Sequence, residues 1–369
     1  MTSTKEATYG RLDPMLAAIE ALVRCESPTE DLAACQNVVR LASDIATRVL
    51  GTPAQIKEIQ GRPVFWWGAN QPEILLLAHL DTVWPHGSYE PLWEVKGDVI
   101  RGPGVFDMKA GFVQALYALK DIDGVGDRVA LVATTDEETG SFASRELIME
   151  LSAAAKAVLV LEASLDGKVK TGRKGTAMYK VTVQGLAAHA GLEPEKGVNA
   201  TVEIAHVILQ LAGLENKEHG TTVVPTLLKS GNSANTVPDL AVLEIDARSF
   251  SQTEIERVDS AIKSFKATVA GARLEITGGL NRPPLQPSST KALYEKLEFV
   301  AKSIGMASLG CAEVGGASDG NFAAAAGAQV LDGLGAVGGG AHAPSEWLSL
   351  KSIEERSALL HAFIKELLK

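Results

Sequence analysis

The sequence predicts an α/β protein with a mixed, largely parallel sheet covered by helices, interrupted by a smaller α+β domain. Through residues 1–174, continuous apolar runs alternate with amphipathic stretches, which is typical of buried parallel strands and the helices that connect them. Between residues 175 and 285 the strands instead alternate between apolar and polar side chains. A chain of 369 residues also exceeds what one hydrophobic core usually organises, so two domains are expected.

The amino-terminal part begins with two predicted helices. Asp13 and Pro14 have the residue types of a helix cap and first helical position, and this helix should end near Arg24. Asp31 is predicted to begin a longer helix that ends near Leu50. The elements that follow are strands 64–67 and 74–80, a helix at 108–120, a strand at 128–135, a helix at 141–156 and a strand that ends at Glu162.

The middle of the chain has the order strand, helix, strand, strand, helix, strand. The predicted ranges are 176–184, 199–211, 221–229, 241–248, 254–269 and 273–277. This is the order of the split βαβ, ferredoxin-like arrangement. After Pro283 and Pro284 the first pattern resumes, with helices at 291–304 and 353–368. We therefore predict a large domain formed by residues 1–174 and 286–369, with a domain at 175–285 inserted into it.

Composition excludes several classes of protein. A net charge of −10 and a pI near 5.3 argue against a nucleic-acid-binding surface. The chain contains no stretch of roughly 20 apolar residues, so we expect no membrane span. The segment MTSTKEATYGRLDPM has no continuous apolar stretch, so we expect no secretory signal. The odd number and wide spacing of Cys25, Cys35 and Cys311 favour free thiols in the cytoplasm.

Acids and histidines follow the ends of the predicted strands. His79 and Asp81 close the apolar run of LLLAHLDTVWP, and the carboxyl end of such a strand is where ligands and metals bind in open α/β sheets. A carboxylate beside a metal-binding histidine can fix the orientation of its ring. The further candidates are Asp107, the pair Glu137 and Glu138, Glu162, and His342 in the glycine-rich segment GGGAHAPSEW.

These candidates predict a metal centre with ligands from several loops. Spacings of 28, 31, 24 and 180 residues separate His79, Asp107, Glu138, Glu162 and His342, which excludes a single-helix site such as HExxH. Two histidines and three carboxylates can hold two divalent ions around a bridging water, with the aspartate shared. Nitrogen and oxygen ligands favour zinc, with cobalt or manganese as substitutes. Glu137, next to a proposed ligand, is then the expected general base.

Six ordered motifs resemble those of the M20 family of zinc peptidases and amide hydrolases, and within it the glutamate carboxypeptidases. They are HLDTVWP, GPGVFDMKAG, TTDEETGS, LEAS, GLAAHAGLEPEKGVNA and GGGAHAPSEW. The resemblance implies a zinc-peptidase-like catalytic domain with His79 and Glu162 on one zinc, and with Glu138 and His342 on the other. It further implies that Asp107 bridges the two ions, that Asp81 supports His79, that Glu137 is the base, and that a cis peptide follows Asp107.

The inserted domain resembles the family's lid and dimerisation domain. The resemblance places His189, Asn235 and Arg248 against the substrate, in AAHAG, GNSANTVP and IDARS. Arg248 suits a carboxylate, while His189 and Asn235 suit an oxyanion. Lys168 stands near the position of a lysine in the glutamate-cleaving members, at a different local spacing, and Gly316 stands in their substrate-side glycine loop. Whether His189 serves its own subunit or a dimer partner stays open.

The expected function is release of a carboxyl-terminal amino acid, glutamate or one similar to it, from a peptide or N-acyl amino acid. Glutamate at position 162 supports this direction, since family members with Glu there are usually carboxypeptidases or deacylases. The alternatives are a dipeptidase and a deacylase of the succinyl-diaminopimelate or acetylornithine type. A non-catalytic binding protein is a third, which the complete ligand set and the presence of Glu137 disfavour. We expect a homodimer formed through the inserted domain.

Overall fold

The structure, a computed structural model, describes residues 10–369; most of the segment for which no secretory signal is expected lies outside the described residues. The α-helices of the described residues are α1 Leu12–Arg24, α2 Leu32–Leu50, α3 Ala110–Leu119, α4 Arg145–Ala154, α5 Ala200–Ala212, α6 Gln252–Lys263, α7 Lys291–Ser303, α8 Asp319–Ala325 and α9 Ser352–Leu367. Within residues 10–369, no helix combines the length and the apolar character needed to cross a membrane.

The strands are short apart from those of the inserted segment. They are β1 Gln55–Ile59, β2 Arg62–Gly68, β3 Ile74–His79, β4 Glu94–Lys96, β5 Val99–Arg101, β6 Val129–Thr134, β7 Ala157–Val160, β8 Val169–Arg173, β9 Gly175–Gln184, β10 Thr222–Ser230, β11 Leu240–Ser249, β12 Arg273–Arg282, β13 Cys311–Val314, β14 Val330–Leu331, β15 Gly338–Gly339 and β16 Trp347–Ser349.

A six-stranded mixed sheet organises the larger unit. Its strand order is β1-β2-β6-β3-β7-β14, and β6, β3, β7 and β14 run parallel to one another. Every residue of β3 and β6 is buried, because α-helices and loops cover the sheet, and this explains the continuous apolar runs of the sequence. The predicted fold class is therefore confirmed. The carboxyl ends of β3, β6 and β7 share one edge, and three of the candidate ligands, His79, Glu138 and Glu162, lie at or shortly after those ends.

The inserted segment has its own antiparallel sheet and core. Its strand order is β10-β11-β9-β12, so the two central strands are β11 and β9, as in a ferredoxin-like fold. The apolar side of α5 and α6 packs against this sheet to form a second hydrophobic core. In the register of β9 and β11, Leu240 lies opposite Gln184 and Arg248 lies opposite Thr176. Arg248 therefore lies at one end of this sheet, and Leu240 lies at the other.

The chain divides into two compact units close to the predicted boundaries. The second unit contains Arg173–Leu285 and the short loop Gly315–Ala317, and the first contains the remaining described residues. The prediction did not include the loop in the second unit. Arg173 explains the difference, because its guanidinium donates hydrogen bonds to the carbonyl oxygens of Gly316 and Ala317. Arg173 and Leu285, where the inserted segment begins and ends, also exchange two backbone hydrogen bonds of 3.0 and 3.1 Å.

Three predicted helix ends differ from the structure. Asp13 lies within the first turn of α1 instead of capping it, where its charge still favours the helix dipole. The helix expected from residue 141 begins at Arg145, because Ser141 has a left-handed φ of 53° and Asp136 accepts the N–H groups of residues 143 and 144. Helix α6 ends at Lys263 instead of near residue 269. Asp31 caps α2 through the backbone N–H of Ala34, as predicted.

Candidate metal centre

His79, the last residue of β3, points its ring at two carboxylates. Its Nε2 lies 3.3 Å from Asp107 Oδ1 and 3.7 Å from Glu162 Oε1. Its Nδ1 lies 3.1 Å from the backbone carbonyl oxygen of Asp81, which can only accept, so Nδ1 carries the proton. In the neutral ring, Nε2 is then free to bind a cation between the carboxylates.

His342 approaches the same carboxylates from the glycine-rich loop before β16. Its Nε2 lies 3.0 Å from Glu138 Oε2 and 3.4 Å from Asp107 Oδ2. The backbone of His342 is left-handed, with φ of 60°, two residues after Gly340 with φ of 75°. Such a conformation is uncommon for residues other than glycine, and it aims this ring at the edge of the sheet.

Asp107 lies between the two histidines and presents one carboxylate oxygen to each. The potential ligand atoms of His79, Asp107 and Glu162 lie within 4.8 Å of one another, and so do those of Asp107, Glu138 and His342. The two groups share Asp107 alone. The peptide bond between Asp107 and Met108 is cis, as the resemblance implied.

The pKa values of the cluster are shifted because its carboxylates are buried and lie next to the two histidines. Burial raises the pKa of Asp107, but hydrogen bonds from His342 and His79 outweigh it and hold that pKa below its usual range. Hydrogen bonds to Asp107 and Glu138 raise the pKa of His342 to about 10. Burial raises the pKa of Glu138 to about 7, against the opposing effect of His342.

The residues of this cluster fit two divalent ions. Burying several carboxylates together is costly unless cations or protons neutralise them. Here the donors are imidazole nitrogen and carboxylate oxygen in two groups of three with a shared aspartate, a set that suits zinc and related metals. In a protonated histidine of this cluster, the proton on Nε2 would occupy the position that a cation takes, because both face the same carboxylates.

Asp81 contacts both halves of the cluster. Its Oδ1 lies 3.5 Å from Nδ1 of His79, farther than its own carbonyl oxygen. Its Oδ2 accepts hydrogen bonds from the backbone N–H of Glu138 at 3.2 Å and from the hydroxyl of Thr29 at 2.8 Å. The resemblance implied support of His79 alone, so the contact with Glu138 adds a second role.

Glu137 is buried beside the same edge. It lines a narrow space together with His79 and Glu162. Asp319, at the start of α8, lines that space too and accepts hydrogen bonds from the hydroxyl groups of Ser141 and Thr134. Sequence reasoning did not single out Asp319, although it lies in GGASDGNF, the segment that contains the candidate Gly316.

In the second unit, His189 and Asn235 lie on adjacent segments. The backbone N–H of Ala190 donates to the carbonyl oxygen of Asn235, and both side chains are exposed. Nδ1 of His189 accepts hydrogen bonds of 3.1 Å from the N–H groups of Gly191 and Leu192. In the neutral ring the proton is therefore on Nε2, which can donate to an anion.

Arg248 lies at the opposite end of the same sheet. Its Nε and Nη2 donate to the two carboxylate oxygens of Asp246, and its Nη1 donates to the carbonyl oxygen of Gly315. Leu240 and Arg248 are eight positions apart in β11, so these two ends of the strand are about 26 Å apart. The structure thus brings His189 and Asn235 together, and it does not bring Arg248 to them.

Lys168 and Gly316, the remaining two candidates, make few of the contacts expected of substrate-binding residues. Lys168 lies in an exposed turn before β8, beside Gly310, and its ammonium group forms no ion pair within residues 10–369. Gly316 belongs to the exposed loop whose carbonyl groups bind Arg173. In neither case does a hydrogen bond within the described part of the chain lead to a candidate metal ligand.

Comparison with known proteins identifies the family. The model of "Peptidase family M20/M25/M40" matches residues 75–366, which include every candidate ligand. The chain belongs to peptidase family M20/M25/M40. Enzymes of the M20 family typically depend on a dinuclear metal centre, in keeping with the two ligand groups around Asp107. The chain is accordingly a hydrolytic enzyme of the peptidase and amidohydrolase type.

Two relatives within the M20 family differ in substrate. Carboxypeptidase G2 of Pseudomonas sp. (strain RS-16) is 33% identical over 317 residues, which cover 81% of this chain and 75% of the relative. Succinyl-diaminopimelate desuccinylase of Sulfurovum sp. (strain NBC37-1) is 23% identical over 318 residues, covering 81% and 83%. The crystal structure of the M20 family metallo-carboxypeptidase Sso-CP2 from Sulfolobus solfataricus superposes with a TM-score of 0.76 at 18% identity, covering 96% and 99%. That likeness shows the fold.

Glu346, which lies in one of the M20 motifs, makes contacts that sequence reasoning did not predict. Glu346 is 1% exposed and accepts hydrogen bonds from the backbone N–H groups of Phe106 and Asp107. It lies four residues after His342 within GGGAHAPSEW. A glutamate in a glycine-rich loop next to a proposed ligand was the available signal.

Proposed function

We propose that this M20 enzyme is a dinuclear zinc hydrolase that cleaves an amide or peptide bond to release a carboxyl-terminal amino acid, glutamate or one similar to it. The observation that carries the proposal is the position of Asp107, with one carboxylate oxygen facing His79 and the other facing His342. Glu162 and Glu138 complete the two ligand groups. The nitrogen and oxygen donors favour zinc, and cobalt or manganese can substitute.

Glu137 is the proposed general base. When bound, the metals supply Lewis acidity, which polarises the scissile carbonyl group and lowers the pKa of water. Glu137 takes the proton from the attacking water and passes it to the nitrogen of the leaving amine. Its buried place beside His79 and Glu162 supports this role, because a carboxylate at that position borders both the ligands and the reacting water.

His189, Asn235 and Arg248 are proposed to bind the substrate. The Nε2 proton of His189 and the side-chain amide of Asn235 can both donate to the oxyanion of the tetrahedral intermediate. Arg248 uses three of its five N–H groups on Asp246 and Gly315, so two stay available for a carboxylate. Lys168 and Gly316 are further candidates, and Lys168 would meet the side chain of a released glutamate.

Similarity to carboxypeptidase G2 supports a substrate with a free carboxyl terminus. That relative is named as a carboxypeptidase, and its 33% identity extends over most of both chains. Glutamate at position 162 supports the same direction. The proposed substrate is therefore a peptide or an N-acyl amino acid with a free α-carboxylate next to the scissile bond.

A second copy of the chain is proposed to complete each site. Arg248 and the pair of His189 and Asn235 lie at opposite ends of one sheet, about 26 Å apart, so a small substrate cannot contact all three from one copy. A homodimer formed through the inserted domain removes this conflict. The edge strand β10 supports such an interface, because Leu227 and Leu228 are 58% and 50% exposed.

The cytoplasm is the proposed compartment. The three cysteines of the chain, Cys25, Cys35 and Cys311, are all free thiols. Disulfides are rare in reducing compartments, and this cysteine pattern agrees with that environment.

A substrate panel tests the proposal. The purified protein, loaded with zinc or cobalt, is assayed with N-acyl-glutamates, folates, dipeptides, N-acetylornithine and N-succinyl-diaminopimelate. We expect the highest kcat/KM for an acyl-glutamate or folate, with free glutamate as product, and loss of activity after chelation. Absence of turnover with every acyl-glutamate, folate and dipeptide in the presence of either metal would refute the proposal.

A deacylase of the succinyl-diaminopimelate type is the second candidate, favoured by the 23% identity to a desuccinylase. It keeps the metal centre and changes the acyl group and the released amine. The same panel separates the two candidates, because loss of one substrate contact changes kcat/KM by about tenfold or more.

A further inference from the structure

A single buried carboxylate gathers the backbone around Asp107. Oε1 of Glu346 accepts hydrogen bonds from the N–H groups of Phe106 at 2.9 Å and Asp107 at 3.1 Å. Oε2 accepts from the N–H of Gly104 at 3.1 Å and from the indole Nε1 of Trp84 at 3.3 Å. All four contacts link residues more than 230 positions apart in the chain, so they hold separate loops together.

The segment that bears Asp107 needs an external acceptor for its N–H groups. Between Val105 and Lys109 the chain makes a short irregular helical turn, and Asp107 and Met108 have φ and ψ angles outside the helical region. A helix N-terminus in any case leaves its first N–H groups without intrahelical acceptors. An unpaired buried N–H is costly, and Glu346 supplies the acceptor for three of these N–H groups.

Glu346 also belongs to the loop that bears a second proposed ligand. His342 precedes Glu346 by four residues. The backbone carbonyl oxygen of Glu346 accepts a hydrogen bond from the hydroxyl of Tyr89 at 3.2 Å. Trp84, in turn, follows His79 in the motif HLDTVWP. The carboxylate of Glu346 therefore joins the three segments that carry His79, Asp107 and His342.

We infer that Glu346 is a positioning residue of the metal centre, which fixes the carboxylate of Asp107 between the two histidines by binding the backbone that bears it. A carboxylate is required because it offers two oxygens that only accept, and all its partners here are donors. Glutamine would turn an NH₂ group towards N–H donors. The negative charge also strengthens each of the hydrogen bonds that hold the loop.

This inference rests on the proposed metal centre, and the test separates the two. Glu346→Gln is compared with wild type and with Glu203→Gln. Glu203 is a matched control, since it is a fully buried glutamate that accepts backbone N–H groups from Thr268 and Val269 within the second unit. The measurements are zinc and cobalt affinity of the metal-free protein by competition with a chelator, the visible spectrum of the cobalt-loaded protein, kcat, KM and thermal unfolding.

For Glu346→Gln we expect metal affinity and kcat each to fall by about 10- to 100-fold, as is typical when a residue that orients a ligand is changed. The cobalt spectrum should shift, and KM should change by less than about threefold, because substrate contacts are retained. Glu203→Gln should keep wild-type metal affinity and cobalt spectrum even if its unfolding temperature falls. A structural role alone would move the unfolding temperature and leave the spectrum unchanged.

A second variant decides the outcome if Glu346→Gln does not fold. Trp84 packs edge-on against Tyr89 with ring centroids 4.9 Å apart, and Trp84→Phe keeps an aromatic side chain there while it removes the indole N–H bonded to Glu346. We expect a smaller loss of metal affinity in the same direction. Wild-type affinity and spectrum in the folded variants would overturn the inference, whereas failure of wild type to bind two metals would overturn the proposed function instead.

Discussion

The carboxylate of Asp81 accepts a hydrogen bond of 3.2 Å from the backbone N–H of Glu138, a residue 57 positions further along the chain. Asp81 follows the strand that ends at His79, while Glu138 faces His342. The residue that supports one proposed metal position thus also holds a ligand of the other. A change at Asp81 should consequently be felt at both positions.

We expect Asp81→Asn to weaken binding of both metals and to lower kcat by about 10- to 100-fold, because the amide carries no charge and has an NH₂ group in place of one of the two acceptor oxygens. Thr29→Val removes only the hydroxyl that donates to the same carboxylate, so its effect should be smaller. Calorimetric titration of the metal-free variants with zinc measures both affinities. Loss confined to one of the two metals in Asp81→Asn would contradict the shared role.

Adjacent glutamates should give different defects. In Glu137→Gln we expect kcat to fall by about 10²- to 10⁴-fold with metal content unchanged, because only proton transfer is lost. In Glu138→Gln we expect metal content to fall as well, since Glu138 lies 3.0 Å from Nε2 of His342. Elemental analysis of dialysed protein, together with initial rates, distinguishes the two. A fully active Glu137→Gln would remove the proposed mechanism.

Metal binding should release protons at neutral pH. Hydrogen bonds to Asp107 and Glu138 raise the pKa of His342 to about 10, so this imidazole is protonated at pH 7, whereas a ligand imidazole must be neutral. Apparent metal affinity should therefore rise with pH, by up to about tenfold per unit for each proton released. Titrations in buffers of different ionisation enthalpy count the protons, and His219→Gln, on an exposed turn, serves as control. Equal heats in all buffers would contradict this expectation.

Mixing two inactive variants tests the proposed dimer. His189→Ala and Arg248→Ala should each lose most activity. In a mixed dimer one site receives Arg248 from one copy and His189 from the other, so random exchange of subunits should restore roughly a quarter of wild-type activity. Activity is measured after co-refolding or co-expression of differently tagged chains. No recovery in a mixture shown to contain mixed dimers would contradict a site shared between His189 of one copy and Arg248 of the other.

Sequence patterns predicted a metal centre because several of the proposed ligands lie at the ends of strands in one parallel sheet. His79 is the last residue of β3 and Glu162 lies two residues after β7, and the carboxyl ends of these strands must share an edge once the strands are parallel. The ferredoxin-like order also followed from local patterns alone. In both cases a short stretch of chain contains enough information, and the sheet supplies the rest.

Contacts between distant segments could not be predicted in this way. Helix α6 ends at Lys263, and beyond that end Glu203, on another helix, accepts the N–H groups of Thr268 and Val269. The sheet β15-β16-β5-β4 consists of strands of two or three residues, too short to leave a periodic pattern. Glu346 was missed for a related reason, since its partners are mostly backbone N–H groups, which every residue but proline carries.

Arg248 shows a different limit. Its place at the end of a strand was predicted, but its pairing with Asp246 on the same face and its distance from His189 depend on register. Only the observed pairing of β9 with β11 places His189 and Arg248 at opposite ends. Because of that separation, mixing of variants can test whether His189 acts at the site of its own subunit or at that of a partner.

The two backbone hydrogen bonds between Arg173 and Leu285 close the inserted segment on itself. A fold that loses residues 174–284 would thus face a gap no wider than that between neighbouring strands, and a turn of a few residues would bridge it. Insertion or deletion of the whole segment should accordingly require little change in the rest of the fold. Chimeras that exchange inserts between family members at this junction should retain a folded first unit, which makes the junction a natural place to recombine specificity.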